Sequence, residues 1–258
     1  MPALIAVLGL VVGSFLNVVI HRLPRGEDVV RPPSRCPVCG TRLAWHELVP
    51  VLSYLVLRGR CRHCGERISP RYPLVEALTA ALFLLVYLVQ WKQAQEDVLP
   101  EHASLTWVLL KSLVFTAGLI CAAFIDAEHG LIPNRLVLAL LTSALVVVPL
   151  AGDVRIPDAV LGALGAGGAL LLLGWASRGG MGGGDIKLAA VAGLYLGWPA
   201  AMLGLFFAAV LGTVAGVALI VSGKKSRKDA IPFGPYLAAG FLIALLWGRE
   251  ILNLCRPG

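Results

Sequence analysis

Apolar residues come in long runs along this chain, parted by short clusters of polar and glycine or proline residues. Runs on the order of 20 residues, enough for a helix to cross a bilayer, recur through most of it, and only residues 21–72 interrupt them at length. The pattern predicts helical spans at residues 3–20, 73–91, 104–125, 133–150, 158–176, 186–198, 200–222 and 231–248. The fold expected is therefore an all-α polytopic membrane protein with about eight transmembrane helices and one small polar insertion. Its parts would be a first transmembrane helix at 1–20, the insertion at 21–72 and a membrane-embedded bundle at 73–258. The sixth span is short. Ile186 to Trp198 makes only about 20 Å of helix at 1.5 Å per residue, so neighbours or a water-filled cleft must shelter its ends.

Composition agrees with a membrane protein: 58% of residues are hydrophobic and 14% charged. The net charge of +7 would suggest nucleic acid in a soluble protein, but no basic helix or aromatic-basic module is present, and no nucleic-acid partner is expected. Basic residues instead gather in loops that remain cytoplasmic during insertion. The run Ala3–Ile20 has no basic stretch before it and is followed by His21, Arg22 and Arg25, which suggests an uncleaved span with its N-terminus outside. Segments 21–72, 126–132, 177–185 and 223–230 then fall inside, the last carrying the basic cluster "GKKSRKD". The acidic loop "KQAQEDVLPEHAS" falls outside. The spacings Gly193-x3-Gly197 and Gly212-x3-Gly216 suit close helix packing. Nothing in the pattern sets an oligomeric state.

The insertion holds "CPVCG" and "CRHCG", two CxxC pairs at the separation of a zinc ribbon. Each knuckle can offer two thiolates, so Cys36, Cys39, Cys61 and Cys64 form a candidate tetrahedral site for zinc or another thiophilic metal. The alternative is two disulfides, which the reducing cytoplasm disfavours. Four thiolates would fill the coordination shell, making the metal structural. His21, His46 and His63 read as surface residues, and Cys121 and Cys255 as ordinary thiols.

Acids are scarce near the spans, so each one needs an account. Asp126 follows "LICAAFI" at the end of the third span, and Asp185 stands at the start of the sixth, on the same predicted face. Singly, Asp185 could be an N-cap and Asp126 a solvated loop residue before Pro133. As a pair, two close carboxylates share a proton, one serving as general base toward water and the other as acid. The glycines before Asp185 would let backbone or an extended substrate come near. Other chemistries fail on spacing. "HELVP" lacks the second histidine of HExxH, no GxSxG occurs, "SGKKS" does not complete a phosphate-binding loop, and no Rossmann-type alternation surrounds the glycines.

"GSFLNVVIHRLPRG", the two knuckles, "PVLSYLVLRGRCRHCGERISPRYPLVE", "FIDAEHGLIPN", "GGGDIKL" and "PFGPYLAAG" together resemble the bifunctional type IV prepilin peptidases, the leader peptidase and N-methyltransferase family. The likeness covers nearly the whole chain and includes a GxGD element, Gly182-Gly183-Gly184-Asp185. It implies that Asp126 and Asp185 are the catalytic pair, supported by Gly182 and Gly184. The implied substrates are prepilins or pseudopilins, cut after a basic leader on the cytoplasmic side of the bacterial inner membrane. It also implies methylation of the new amino terminus from S-adenosyl methionine, with the amino-terminal polar region involved. Asn134 departs from the acid many relatives carry after the proline; if that acid tunes the dyad, Asn134 would alter the pH optimum without removing the chemistry. Glu47, Glu66 and Glu76 are candidates for supporting methyl transfer, Glu76 the most suggestive of them although it reads more readily as a simple interfacial anchor. Lys187 reads as a residue reaching toward lipid headgroups, with tuning of Asp185 or substrate contact as the alternative. Two rival functions are a noncatalytic scaffold of a pilus or secretion assembly and a transporter whose acids relay protons.

Overall fold

A computed structural model of the chain describes residues 1–258 apart from 32, 97–98, 101, 178–180, 225–230 and 255–258. Most of the "GKKSRKD" cluster, part of the acidic loop and Cys255 thus lie outside the described residues. Among the described residues the structure is helical, with no strand beyond two isolated bridges. The chain forms two compact units, Met1–Leu88 and Val89–Gly258.

The first unit contains α1 (Pro2–Arg22), the insertion with its one-turn helix α2 (Leu52–Val56), and most of α3 (Arg71–Gln95). Two glycines on one face of α1 bring it against α3: a Cβ on Gly9 would lie 2.5 Å from Ala80 Cα, and one on Gly13 2.7 Å from Glu76 Cα. Asn17 Nδ2 adds a hydrogen bond to the Tyr72 carbonyl at 3.0 Å. Membrane helices have no hydrophobic force drawing them together in lipid, so such close, polar-fastened contacts carry the association.

The second unit is a bundle of α4 (Leu105–His129), α5 (Asn134–Ala151), α6 (Ile156–Ala176), α7 (Gly183–Leu196), α8 (Trp198–Val221) and α9 (Gly234–Leu254). The eight predicted spans correspond to eight helices in the two units. Seven are long and apolar enough to cross a membrane, and α7, with 14 residues, is not. Of the predicted packing glycines, Gly193 does seat α7 on α6, where a Cβ would come within 2.2 Å of the Gly162 carbonyl. Gly197 acts through its backbone instead, turning the chain from α7 into α8 at φ +77°.

The early end of α7 leaves carbonyls that need donors inside the bundle. Lys111, fully buried on α4, gives one hydrogen bond to the Tyr195 carbonyl at 3.2 Å and pairs with Asp153 at 2.6 Å. Arg249 of α9 meets the other side of Asp153 at 2.9 Å. The Tyr195 ring stacks on Phe115 while its hydroxyl reaches the Leu140 carbonyl and Ser143. A cation, an acid and a second cation thus tie α4, α9 and the α5–α6 turn to the end of the short helix, beside a cavity of about 470 Å³.

Candidate active site

Asp126 lies four residues before Gly130, which terminates α4 in the left-handed conformation and donates to the Asp126 carbonyl at 2.8 Å. The chain then runs through Leu131, Ile132 and Pro133 into α5. Pro133 is the residue before that helix rather than its first, a small shift from the expected start. Asp185 is also displaced from its simplest reading. Gly182 is the N-cap of α7, and Asp185 is the third helical residue. From there its carboxylate turns back toward Gly182, whose backbone favours the ionised form.

The carboxylates of Asp126 and Asp185 are both buried, and the charge of Asp126 is felt at Asp185. Glycines make this possible. At Gly184 a Cβ would press within 2.9 Å of Ile132, and at Gly182 within 3.1 Å of Asp185 Oδ2, whereas at Gly183 it would meet nothing within 4 Å. The two fixed glycines of a GxGD element are the positions with no room for a side chain, and the free letter faces open space.

A third segment enters the site without any signal from side-chain chemistry. The backbone N–H of Gly234, at the start of α9, donates to Asp126 Oδ2 at 2.7 Å. The only sequence cue was glycine followed by proline at the head of an apolar run, a helix start. Asp126 is therefore held by a main-chain glycine amide from another helix. Asp185 Oδ1 is buried with no protein partner, an oxygen positioned to hold a proton or meet a reactant. Nearby, Lys187 Nζ hydrogen-bonds Asn134 Oδ1 at 2.9 Å and so ties the start of α7 to the start of α5.

In the first unit the four cysteines converge. Sγ atoms of Cys36, Cys39, Cys61 and Cys64 all lie within 4.8 Å of one another. The knuckles are built alike: Cys36 and Cys61 N–H groups bond to Thr41 and Glu66 carbonyls, and Gly40 and Gly65 N–H groups return to Cys36 and Cys61. Hydrogen bonding to Thr41, side chain first and then backbone, lowers Cys39 to about 6, and the Cys64 and His63 amides lower Cys61. Both favour the thiolates a metal needs, whereas desolvation and the neighbouring cysteines push Cys64 up to about 12, so the four do not all ionise without a cation among them. Cys121 is buried in α4 and apart from this cluster.

The three glutamates do not assemble. Glu47 Oε2 accepts the Ala44 N–H at 2.8 Å, which holds its carboxyl below the usual range, and Oε1 lies 3.5 Å from His63 in the second knuckle. Glu76 Oε2 accepts the Val51 N–H at 2.7 Å. The Glu66 side chain is exposed. His46 contacts Arg62 and His21 contacts Arg25.

Comparison with known proteins gives matches across both units. Residues 7–90 match the Bacterial Peptidase A24 N-terminal domain, and residues 113–217 match the Type IV leader peptidase family. The chain is 39% identical to a protein of Aeromonas hydrophila, with 96% of this chain and 91% of the relative covered. It is 40% identical to one of Pseudomonas putida, with the same coverages. Identity to a Bacillus subtilis protein is 34%, over 98% of this chain and 97% of the relative. All three are called prepilin leader peptidase/N-methyltransferase. No solved structure gives a significant match.

Proposed function

The chain belongs to the type IV leader peptidase family, and from that membership and its two buried aspartates we propose a membrane aspartic endopeptidase that removes the leader of type IV prepilins or pseudopilins. The observation that supports the reading is the burial of Asp126 and Asp185 with the charge of one felt at the other, Asp126 being fixed by the Gly234 N–H. Two carboxylates in mutual range and shielded from water hold one proton between them. The ionised member takes a proton from water as its oxygen attacks the scissile carbonyl carbon. The protonated member gives its proton to the carbonyl oxygen. Collapse of the tetrahedral adduct breaks the C–N bond as a proton passes to the leaving amine, leaving the dyad again with one proton. The roles belong to the pair, since coupled groups titrate together.

The acids would face the cytoplasm of a bacterial inner membrane, a reading supported by the basic residues of the loops on that predicted side. The second activity, methylation of the exposed amine, takes its methyl group from S-adenosyl methionine and is assigned to the unit containing residues 21–72. The metal is zinc. Zn–S bonds of about 2.3 Å give a tetrahedron edge of about 3.8 Å, and Cys36 and Cys64 Sγ atoms are 3.8 Å apart. Four sulfurs close the shell, so the ion would staple the two knuckles and leave hydrolysis to the aspartates.

Mass spectrometry of a prepilin incubated with the purified protein and S-adenosyl methionine tests both steps. The expected product lacks the leader and carries one added methyl. Asp126→Asn and Asp185→Asn should each abolish leader loss while the protein remains monodisperse. Cleavage by either variant at the wild-type rate would refute the assignment.

A further inference from the structure

Residues 45–56 belong to a segment that its average composition marks as polar, yet they expose a row of apolar side chains: Trp45, Leu48, Leu52, Leu55 and Val56. Trp45 and Val56 are each 80% exposed. Large exposed apolar patches mark a partner or a membrane.

The level of this patch is fixed by Glu76. That carboxylate accepts the Val51 N–H from a position five residues into α3, about 7–8 Å along its axis from Arg71. Val51 takes φ +60° to meet it, a backbone conformation that a β-branched residue rarely adopts. α2 begins at the next residue. It therefore lies beside the opening turns of α3, a helix long and apolar enough to cross a membrane.

Charge completes the surface. A cavity of about 550 Å³ is lined by Arg58, Arg60 and Arg67 with Tyr54 and Ser69, and no acid is in its wall. Pro70 forms its edge, and the following residue, Arg71, opens α3. The arginines are thus held at headgroup level by the chain itself. Planar guanidinium groups suit phosphate, and apolar side chains bordered by cations and an interfacial tryptophan suit a lipid surface.

We propose that residues 45–67 form a membrane-resting face, with α2 set into the acyl boundary and the arginine cavity holding the phosphate of an anionic phospholipid. The inference stands apart from the peptidase reading and needs neither the dyad nor the metal.

Two measurements on the full chain test it. A benzophenone amino acid placed at Val56, in nanodiscs of mixed phosphatidylglycerol and phosphatidylcholine, should give lipid adducts on illumination, and the same group at exposed Val38 should give few. Native mass spectrometry should show wild-type protein retaining phosphatidylglycerol over phosphatidylcholine by on the order of tenfold. R58Q/R60Q/R67Q should lose that preference. Absence of lipid adducts at position 56, adducts there to an added prepilin instead, or an unchanged lipid preference in the triple variant would overturn the proposal. The position 56 measurement keeps all three arginines, so it decides even where the triple variant fails to fold.

Discussion

Replacing Gly234 by alanine adds one methyl group where the site has no room. The new Cβ would lie 2.7 Å from Asp126 Cβ, 2.8 Å from Oδ2 and 2.9 Å from Cγ. Non-bonded carbons settle at about 3.5–4.0 Å, so the overlap is roughly an ångström on three atoms at once. Asp126 is anchored in α4 and Gly234 heads α9, so relief must come from parting the two helices or turning the carboxylate away. Either lengthens the 2.7 Å bond from the Gly234 amide. A hydrogen bond to a charged group contributes about 1.5–3 kcal/mol, and an ångström of misplacement costs about 100-fold in rate. We therefore expect G234A to lower kcat for prepilin cleavage about 100-fold, equivalent to about 2.7 kcal/mol of barrier, with KM little changed. Overpacking costs about 1–3 kcal/mol of stability, which a melting curve in detergent will register separately. G183A is the matched control, because its Cβ meets nothing within 4 Å. Equal losses in both variants, or a G234A rate within about threefold of wild type, less than 1 kcal/mol of barrier, would falsify the assignment of Gly234 as the positioning donor.

Lys111→Met should lower stability by about 3–5 kcal/mol, the usual result of removing one partner from a buried ion pair, read as an earlier thermal transition in detergent. Chelation of the proposed zinc should speed amide exchange across residues 36–67 while prepilin cleavage initially persists; immediate loss of cleavage with unchanged exchange would assign the metal to catalysis. Cleavage rate against pH should follow a bell with both limbs set by the dyad, and a profile flat from about pH 4 to 9 would argue against paired carboxylates. G184A should impair cleavage, since its Cβ would press on Ile132 at 2.9 Å, and full activity would contradict the packing role.

Long apolar runs made the helices readable, because the bilayer fixes their length. Asp126, Asp185 and the cysteines stood out because ionisable and thiol groups are rare in such a chain and their spacing has chemical meaning. The Gly234 contact was hidden for the opposite reason: its donor is a main-chain amide, which every residue but proline has, and only the fold aims it. Lys111 was visible as a charge inside an apolar run, but its partner Asp153 is 42 residues away and Arg249, on the far side of that acid, is more distant still. The apolar face of residues 45–56 disappeared in the average composition of the insertion. Lys187 was visible beside Asp185, yet its partner Asn134 belongs to another helix.

Short α7 also has an electrical consequence. Its 14 residues, about 21 Å of helix, have the buried acids near one end and the 470 Å³ recess beside Tyr195 and Gly197 near the other. In an energised membrane the voltage would fall across this thinner insulating layer, not the full thickness of about 30 Å, steepening the field felt by the dyad's shared proton. Turnover in sealed vesicles is then expected to depend on membrane potential.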